Sequence, residues 1–302
     1  ALELIEEKSG GFTKAEWNKI FNISTYMINK LIELGCASSE EVRVGRENLR
    51  EFKPYPPKSL NEEQIRAYDT ILESDKNIFL LKGVTGSGKT EVYMNLVSYM
   101  LLFEKSSLIL VPEIALTPQM IERFKGRFGK DVAVFHSRLS DGERYDEWYR
   151  VKNDQVKVVI GARSAIFLPF NDLGLIVVDE EHESSYKSDM NPKYNTIEVC
   201  EYLSLLKNCK VVLGSATPSV VSFYKALKGN YELIELKKRV NNGELPNVSI
   251  VDMREELKSN NKTMFSRDLY LKIKDRLEKK EQIILFLNRR GFSSFVSCRS
   301  CG

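Results

Sequence analysis

A chain of 302 residues, 42% apolar and 29% charged, has the make-up of an ordinary globular protein of two domains, or three if one is small. No apolar run approaches the roughly 20 residues of a membrane span. The opening Ala-Leu-Glu-Leu-Ile-Glu-Glu-Lys lacks the basic start and apolar stretch of a signal peptide, and a net charge of +3 is too small to imply wholesale electrostatic binding to nucleic acid, so any such contact must be local. Five scattered cysteines, an odd number, point to a reducing compartment, and the absence of methionine at position 1 suggests a fragment or an engineered chain.

Residues 1–53 read as a small domain of their own. Thr13 with Glu16 forms a capping box for a helix from Lys14 to about Phe21. Ser24 caps a second helix, in which Met27, Ile28, Leu31 and Ile32 share a face and Gly35 marks the end. Glu41–Val44 reads as a short strand. Two or three helices and a β-ribbon fit a winged-helix DNA-binding module, or any small helical bundle. Phe52–Pro57 carries three prolines, so residues 54–59 form a stiff linker.

A helix opening at Leu60-Asn61-Glu62-Glu63-Gln64 begins the next domain, 60–240. Ile78–Leu81 is a strand buried on both faces, followed by Gly83-Val84-Thr85-Gly86-Ser87-Gly88-Lys89-Thr90 and a helix from Thr90 to about Phe103. The eight residues fit the phosphate-loop pattern. Glycines let backbone N–H groups converge on phosphate oxygens at a helix N-terminus, Lys89 reaches the β- and γ-phosphates, and the Thr90 hydroxyl ligates Mg²⁺. Further apolar runs at Leu108–Val111, Val132–Phe135, Val156–Ile160, Leu175–Val178 and Val211–Leu213 alternate with helical stretches. That alternation predicts an α/β fold with a parallel sheet covered by helices on both faces. A helix from Pro218 to about Lys228, strands at Glu232–Leu236 and Val248–Val251, a surface connection within 241–265, a helix from Ser266 to Lys280 and a strand at Ile283–Leu287 complete the prediction, with 266–302 opening a further lobe.

The second chemical signature is Leu173-Gly174-Leu175-Ile176-Val177-Val178-Asp179-Glu180-Glu181-His182, about ninety residues after the phosphate loop. A strand delivers Asp179 to its carboxyl end, where ligands bind in open α/β sheets. Asp179 can hold Mg²⁺ through its water shell, and Glu180 can orient an attacking water. Lys89, Thr90, Asp179 and Glu180 are expected to meet across two neighbouring strand ends around one triphosphate. Gly214-Ser215-Ala216-Thr217-Pro218-Ser219 follows another strand, and its hydroxyls can reach both the γ-phosphate and the acidic cluster.

Phosphate loop, Asp-Glu-Glu-His and Ser-Ala-Thr, in that order, resemble the superfamily 2 helicases. Several longer stretches narrow the likeness to the primosomal replication-restart helicase family. These are Leu110–Gln119 (Leu-Val-Pro-Glu-Ile-Ala-Leu-Thr-Pro-Gln), Phe135-His136-Ser137, Gly161-Ala162-Arg163-Ser164-Ala165, Asp179 to Tyr186, and Asn288-Arg289-Arg290-Gly291-Phe292. The resemblance implies a RecA-like lobe using ATP and Mg²⁺, preceded by a winged helix, in an ATP-dependent 3′→5′ helicase that restarts stalled forks by primosome assembly. It implies a cytoplasmic, nucleoid-associated monomer whose partners are branched and single-stranded DNA, primosome proteins and single-strand-binding proteins.

Residue by residue, the resemblance places Gln64 at the adenine base and Thr117, Gln119 and Arg163 along the DNA path. It makes His182, Ser215 and Thr217 couplers of phosphate state to DNA grip, and puts Arg289 and Arg290 with the coupling or DNA-contacting residues. Tyr186 and Tyr194 fall in a loop that senses single strands, where stacking is worth about 1–3 kcal/mol per base. Cys298 and Cys301 look like half of a zinc-binding insertion, whose structural Zn²⁺ would need four ligands. Measured against the family, an amino-terminal domain that recognises a nascent 3′ end is missing and the second lobe has only begun. An arginine finger can be worth about 10³–10⁵ in rate, so the chain alone is expected to bind nucleotide weakly and hydrolyse it poorly. The alternative is a nucleotide- and DNA-binding module with little or no turnover.

Overall fold

The structure, a computed structural model, describes residues 18–19, 22–38, 52–112, 118–240 and 247–286. The predicted strand at Glu41–Val44, the capping box at Thr13 and Glu16, Thr117, the stretch from Asn288 to Phe292 and the cysteines at 298 and 301 lie outside them. Helix α1 (Thr25–Glu33) starts where Ser24 Oγ accepts the Met27 N–H and buries Ile28 and Leu31. It closes where the Gly35 N–H donates to Ile32 and the Cys36 N–H to Leu31, the glycine-terminated end that the sequence predicts.

The chain divides into two compact units, Ala1–Asn242 and Gly243–Gly302. In the first, seven parallel strands form one sheet. They are β1 (Ile78–Gly83), β2 (Ser106–Leu110), β3 (Val132–Phe135), β4 (Val158–Gly161), β5 (Leu173–Asp179), β6 (Lys210–Ser215) and β7 (Glu232–Leu236). Their spatial order is β3-β4-β2-β5-β6-β1-β7. Successive side chains of a strand point to opposite faces, and here both faces are apolar. Phe79, Leu81 and Val177 join one core with residues of α2 (Glu62–Glu73), α3 (Lys89–Leu102) and α4 (Pro118–Phe128). Leu80, Ile176 and Val178 join the other core, with residues of α5 (Asp141–Lys152), α6 (Thr196–Lys207) and α7 (Val220–Leu227). Burial on two faces is why these strands read as unbroken apolar runs. Each such side chain contributes about 1.5–3 kcal/mol.

The sheet order corrects one expectation. β1 and β5 are not neighbours, because β6 lies between them and pairs with both. The phosphate loop and the acidic box therefore face each other across the end of β6, which is how the Gly214-Ser215 pair enters the site. The sheet reverses its winding here, since chain order runs outward from β1 to β2 across two intervening strands, and ligands of open α/β sheets bind in such a crevice.

The predicted stiff linker is strapped to the lobe. The Tyr55 N–H donates to the Gly126 carbonyl at 3.0 Å, and a Cβ on Gly126 would overlap the Lys53 carbonyl oxygen. Lys58 N–H reaches Glu91 Oε1 at 3.1 Å, and Arg127 Nη2 donates to the Pro56 carbonyl at 3.1 Å. Glu91, in the first turn of α3, also takes a buried ion pair from Arg127 at 2.6 Å. The guanidinium lies over the Tyr55 ring, 5.2 Å from its centroid.

In the second unit, α8 (Met253–Lys258) and α9 (Arg267–Glu278) are joined by a turn in which the Glu256 carboxylate accepts from Asn261 Nδ2 and the Arg267 N–H. Helix α9 matches the helix predicted over 266–280. The two strands predicted in this stretch are corrected: residues 248–251 and 283–286 are not in strands, and Val248, Ile250, Ile284 and Phe286 are exposed. Their apolar residues supply strand propensity, but no described strand lies alongside to complete a ladder, and propensity alone does not hold an edge.

Candidate nucleotide-binding site

The phosphate loop turns at Gly86 (φ +82°) and Gly88 (φ +79°), the left-handed region that a side chain would strain. Gly88 caps α3 without a side-chain bond, so the first N–H groups of the helix open onto the loop. Thr85 and Gly86 are exposed at its crown, while Ser87 and Lys89 are buried. Lys89 Nζ donates to the carbonyl of Gly83 at 2.9 Å and lies 3.8 Å from Glu180 Oε1. Ser87 Oγ is buried and has no hydrogen-bond partner among the described residues.

Gln64 is nearly fully buried at the foot of this loop. Its backbone and carboxamide oxygen form a reciprocal capping box with Asn61, and its Nε2 donates to the Ser87 carbonyl at 2.9 Å. The residue expected at the adenine base thus also braces the phosphate loop.

Asp179 ends β5 and pairs in register with Gly214 of β6. Tyr93 of α3 donates its hydroxyl to Asp179 Oδ1 at 3.1 Å. Burial raises the Asp179 pKa above the ordinary carboxylate value and the Glu180 charge adds to this, while Lys89 and the Tyr93 hydrogen bond pull it back. Burial, then the Asp179 charge, hold the Tyr93 phenol protonated. Glu180 adopts φ +48°, a conformation that costs a non-glycine residue about 1–3 kcal/mol. It aims the Glu180 carboxylate between Lys89 and His182, whose Nδ1 lies 3.6 Å from Glu180 Oε2.

His182 Nδ1 is 2.8 Å from Ser215 Oγ, which also accepts the Thr217 N–H at 3.0 Å. The structure therefore brings His182, Ser215 and Thr217 together, and joins them to the acidic box. Glu181 supplies a second link that the sequence reading missed. It is buried, and its carboxylate accepts from Ser219 N, Ser219 Oγ and Ser222 Oγ at 2.6, 3.1 and 2.8 Å, clamping the start of α7. No local pattern could have shown it, because the partners lie 38 and 41 positions on.

Arg163 donates to the carbonyls of Ser185 and Lys187 rather than to a carboxylate. Gln119 is exposed in the first turn of α4. Tyr186, expected in a loop that senses single strands, does not offer its ring to solvent. It is 2% exposed, and its hydroxyl is shared between the carbonyls of Asp179 (2.7 Å) and Leu110 (3.1 Å). The segment folds inward because Thr196 Oγ1 holds the Tyr186 carbonyl at 2.8 Å. Tyr194 is half-buried and packs edge-on against Phe167, 4.9 Å between centroids. Phe167 itself is 58% exposed, an aromatic face that the sequence reading passed over.

A triphosphate with Mg²⁺ fits these residues. The loop supplies an unpartnered buried hydroxyl at Ser87, a lysine resting on the loop's own carbonyl and a free helix N-terminus. Thr90 and Asp179 are the side chains that would hold the metal. Among the described residues no group of three or more His, Cys, Asp or Glu is arranged for a metal ion, and no helix is long and apolar enough to cross a membrane.

A parallel sheet with a phosphate loop after β1 and an acidic box after β5 defines a RecA-like helicase lobe. The DEAD/DEAH box helicase model matches residues 61–224, and the chain belongs to that family. It is 49% identical to the replication restart protein PriA of Bacillus subtilis (strain 168), over 99% of this chain and 38% of that protein. To the PriA of Synechocystis sp. (strain ATCC 27184 / PCC 6803 / Kazusa) it is 42% identical over 100% of this chain and 37% of the relative. To that of Chlamydia trachomatis serovar D it is 45% identical over 96% and 39%. The chain thus spans less than two-fifths of the length of these relatives. The family likeness read from the motifs is borne out along nearly the whole sequence.

Proposed function

We propose that this chain is the nucleotide-binding part of an ATP-dependent 3′→5′ DNA helicase that acts at stalled or branched forks and restarts replication through primosome assembly. The observation that carries the reading is the approach of Lys89 Nζ to Glu180 Oε1, 3.8 Å, beside Asp179. Loop and acidic box, about ninety residues apart in sequence, share one crevice. Bound MgATP supplies the phosphoryl group and the free energy. With MgATP bound, Lys89 would exchange the Gly83 carbonyl for the β- and γ-phosphates, and Thr90 and Asp179 would hold the metal. Glu180 would orient the water that attacks the γ-phosphorus and accept its proton, while the bond from that phosphorus to the β-phosphate oxygen breaks and ADP leaves. Gln64 reads the base while bracing the loop.

The His182–Ser215–Thr217 chain carries the state of the phosphates toward β6, and the Glu181 clamp carries it into α7. Gln119, Arg163 and the Phe167–Tyr194 pair border the single strand, with Thr117 contributing in the same path; Arg289 and Arg290 are coupling or DNA-contacting residues. Tyr186 acts from inside, as a tie between β2 and the acidic box. Cys298 and Cys301 would supply two of the four ligands that a structural zinc site needs. Single-stranded and branched DNA, single-strand-binding protein and primosome proteins are the partners.

In the full-length protein Lys89→Ala should cut fork-stimulated ATP turnover by about 10²-fold or more, as loss of one transition-state donor does. Wild-type turnover in that variant would overturn the role given to the lysine. Failure of the active wild-type protein to separate a forked duplex would leave a translocase of the same superfamily.

A further inference from the structure

Tyr93 is fully buried, five residues into α3, and its hydroxyl donates to Asp179 Oδ1. Directly across, Gly214 stands in register with Asp179 on β6, and a Cβ at Gly214 would overlap the Tyr93 hydroxyl and crowd its Cζ at 2.9 Å. Three elements thus leave one slot for one phenolic oxygen. A packing role alone would be met by phenylalanine, which needs neither a partner for a buried O–H nor a missing side chain opposite.

From this geometry we infer that Tyr93 is a positioning residue. Its O–H grips one oxygen of the Asp179 carboxylate and leaves the other turned to Mg²⁺, and Gly214 is glycine so that the grip can form. The inference rests on the proposed reading of Asp179 as a metal-holding side chain. It adds a residue from the phosphate-loop helix to the metal's support, and gives the glycine of Gly-Ser-Ala-Thr a steric duty apart from that of its hydroxyl neighbours.

The test uses the full-length protein, with the fluorescent nucleotide mant-ADP and with Mn²⁺ followed by electron paramagnetic resonance. Tyr93→Phe should bind mant-ADP without metal as the unmodified protein does, yet need about tenfold more Mg²⁺ or Mn²⁺ for half-saturation, the effect of losing one hydrogen bond to a charged group. Gly214→Ala should show the same metal shift together with a lowered Tm. The double variant should melt above Gly214→Ala, because the oxygen that the new methyl meets is gone. An unchanged metal titration in Tyr93→Phe would overturn the positioning role, and additive losses of Tm in the double variant would overturn the steric pairing. Asp179→Asn separates the two layers. If it loses the metal response while Tyr93→Phe keeps it, only the inference fails; if it keeps the response, the metal-holding role of Asp179 and the inference fall together.

Discussion

Arg127 shows how much one side chain can carry away from the phosphates. Its guanidinium is buried, pairs with Glu91 one residue beyond Thr90, and leaves Nε and Nη1 without hydrogen-bond partners among the described residues. A buried pair is a weak source of net stability, but breaking it strands a charge. Arg127→Ala should therefore lower unfolding stability by about 3–5 kcal/mol, read from denaturant melts. A loss below about 1 kcal/mol, the range of exposed pairs, would contradict the buried reading. The residue was invisible in sequence for the same reason as Tyr93 and Glu181. Lys89, Asp179 and Glu180 stand in local motifs that name themselves, whereas Arg127 meets Glu91 across 36 positions and Tyr93 meets Asp179 across 86. Only the fold brings such partners together.

Among the elements, the strands were legible where the sheet buries both their faces, as in β3, whose bounds match the apolar run Val132–Phe135; β7 also keeps the predicted bounds Glu232–Leu236, although only Leu236 of it is buried. Val248–Val251 carries a similar run and forms no strand, because a run records propensity and not the presence of a partner. Order within the sheet was not legible either. The apolar runs say nothing of which strand separates β1 from β5. The proline-rich segment read as a stiff linker with no sign of what it rests on, and its seat on α4 depends on Gly126, which has no signature of its own. Gly126→Ala would push a methyl into the Lys53 carbonyl and Tyr55 backbone. Limited proteolysis should then cut within residues 52–59 at least tenfold faster, the mark of a local opening made about 1.4 kcal/mol easier. Equal cleavage rates in the two proteins would mean that the strap is held elsewhere.

In the whole molecule, the first unit presents one crevice, in which the proposed function seats one nucleotide. Its two cores fix β1, β5 and β6, and those strands set Lys89 opposite Glu180 with Asp179 and Ser215 between supports from α3 and the segment after β5. The family membership was legible because its motifs are long and ordered. The supports beneath them were not, since they lie on other elements. Equilibrium binding of MgATP to this 302-residue chain and to its Lys89→Ala variant, by calorimetry, tests that seating most directly. Binding should be saturable and one-to-one, and should weaken by about tenfold or more in the variant, the worth of a charge-assisted contact. Equal affinities in the two proteins, or binding that survives when Lys89 and Asp179 are replaced together, would contradict that seating.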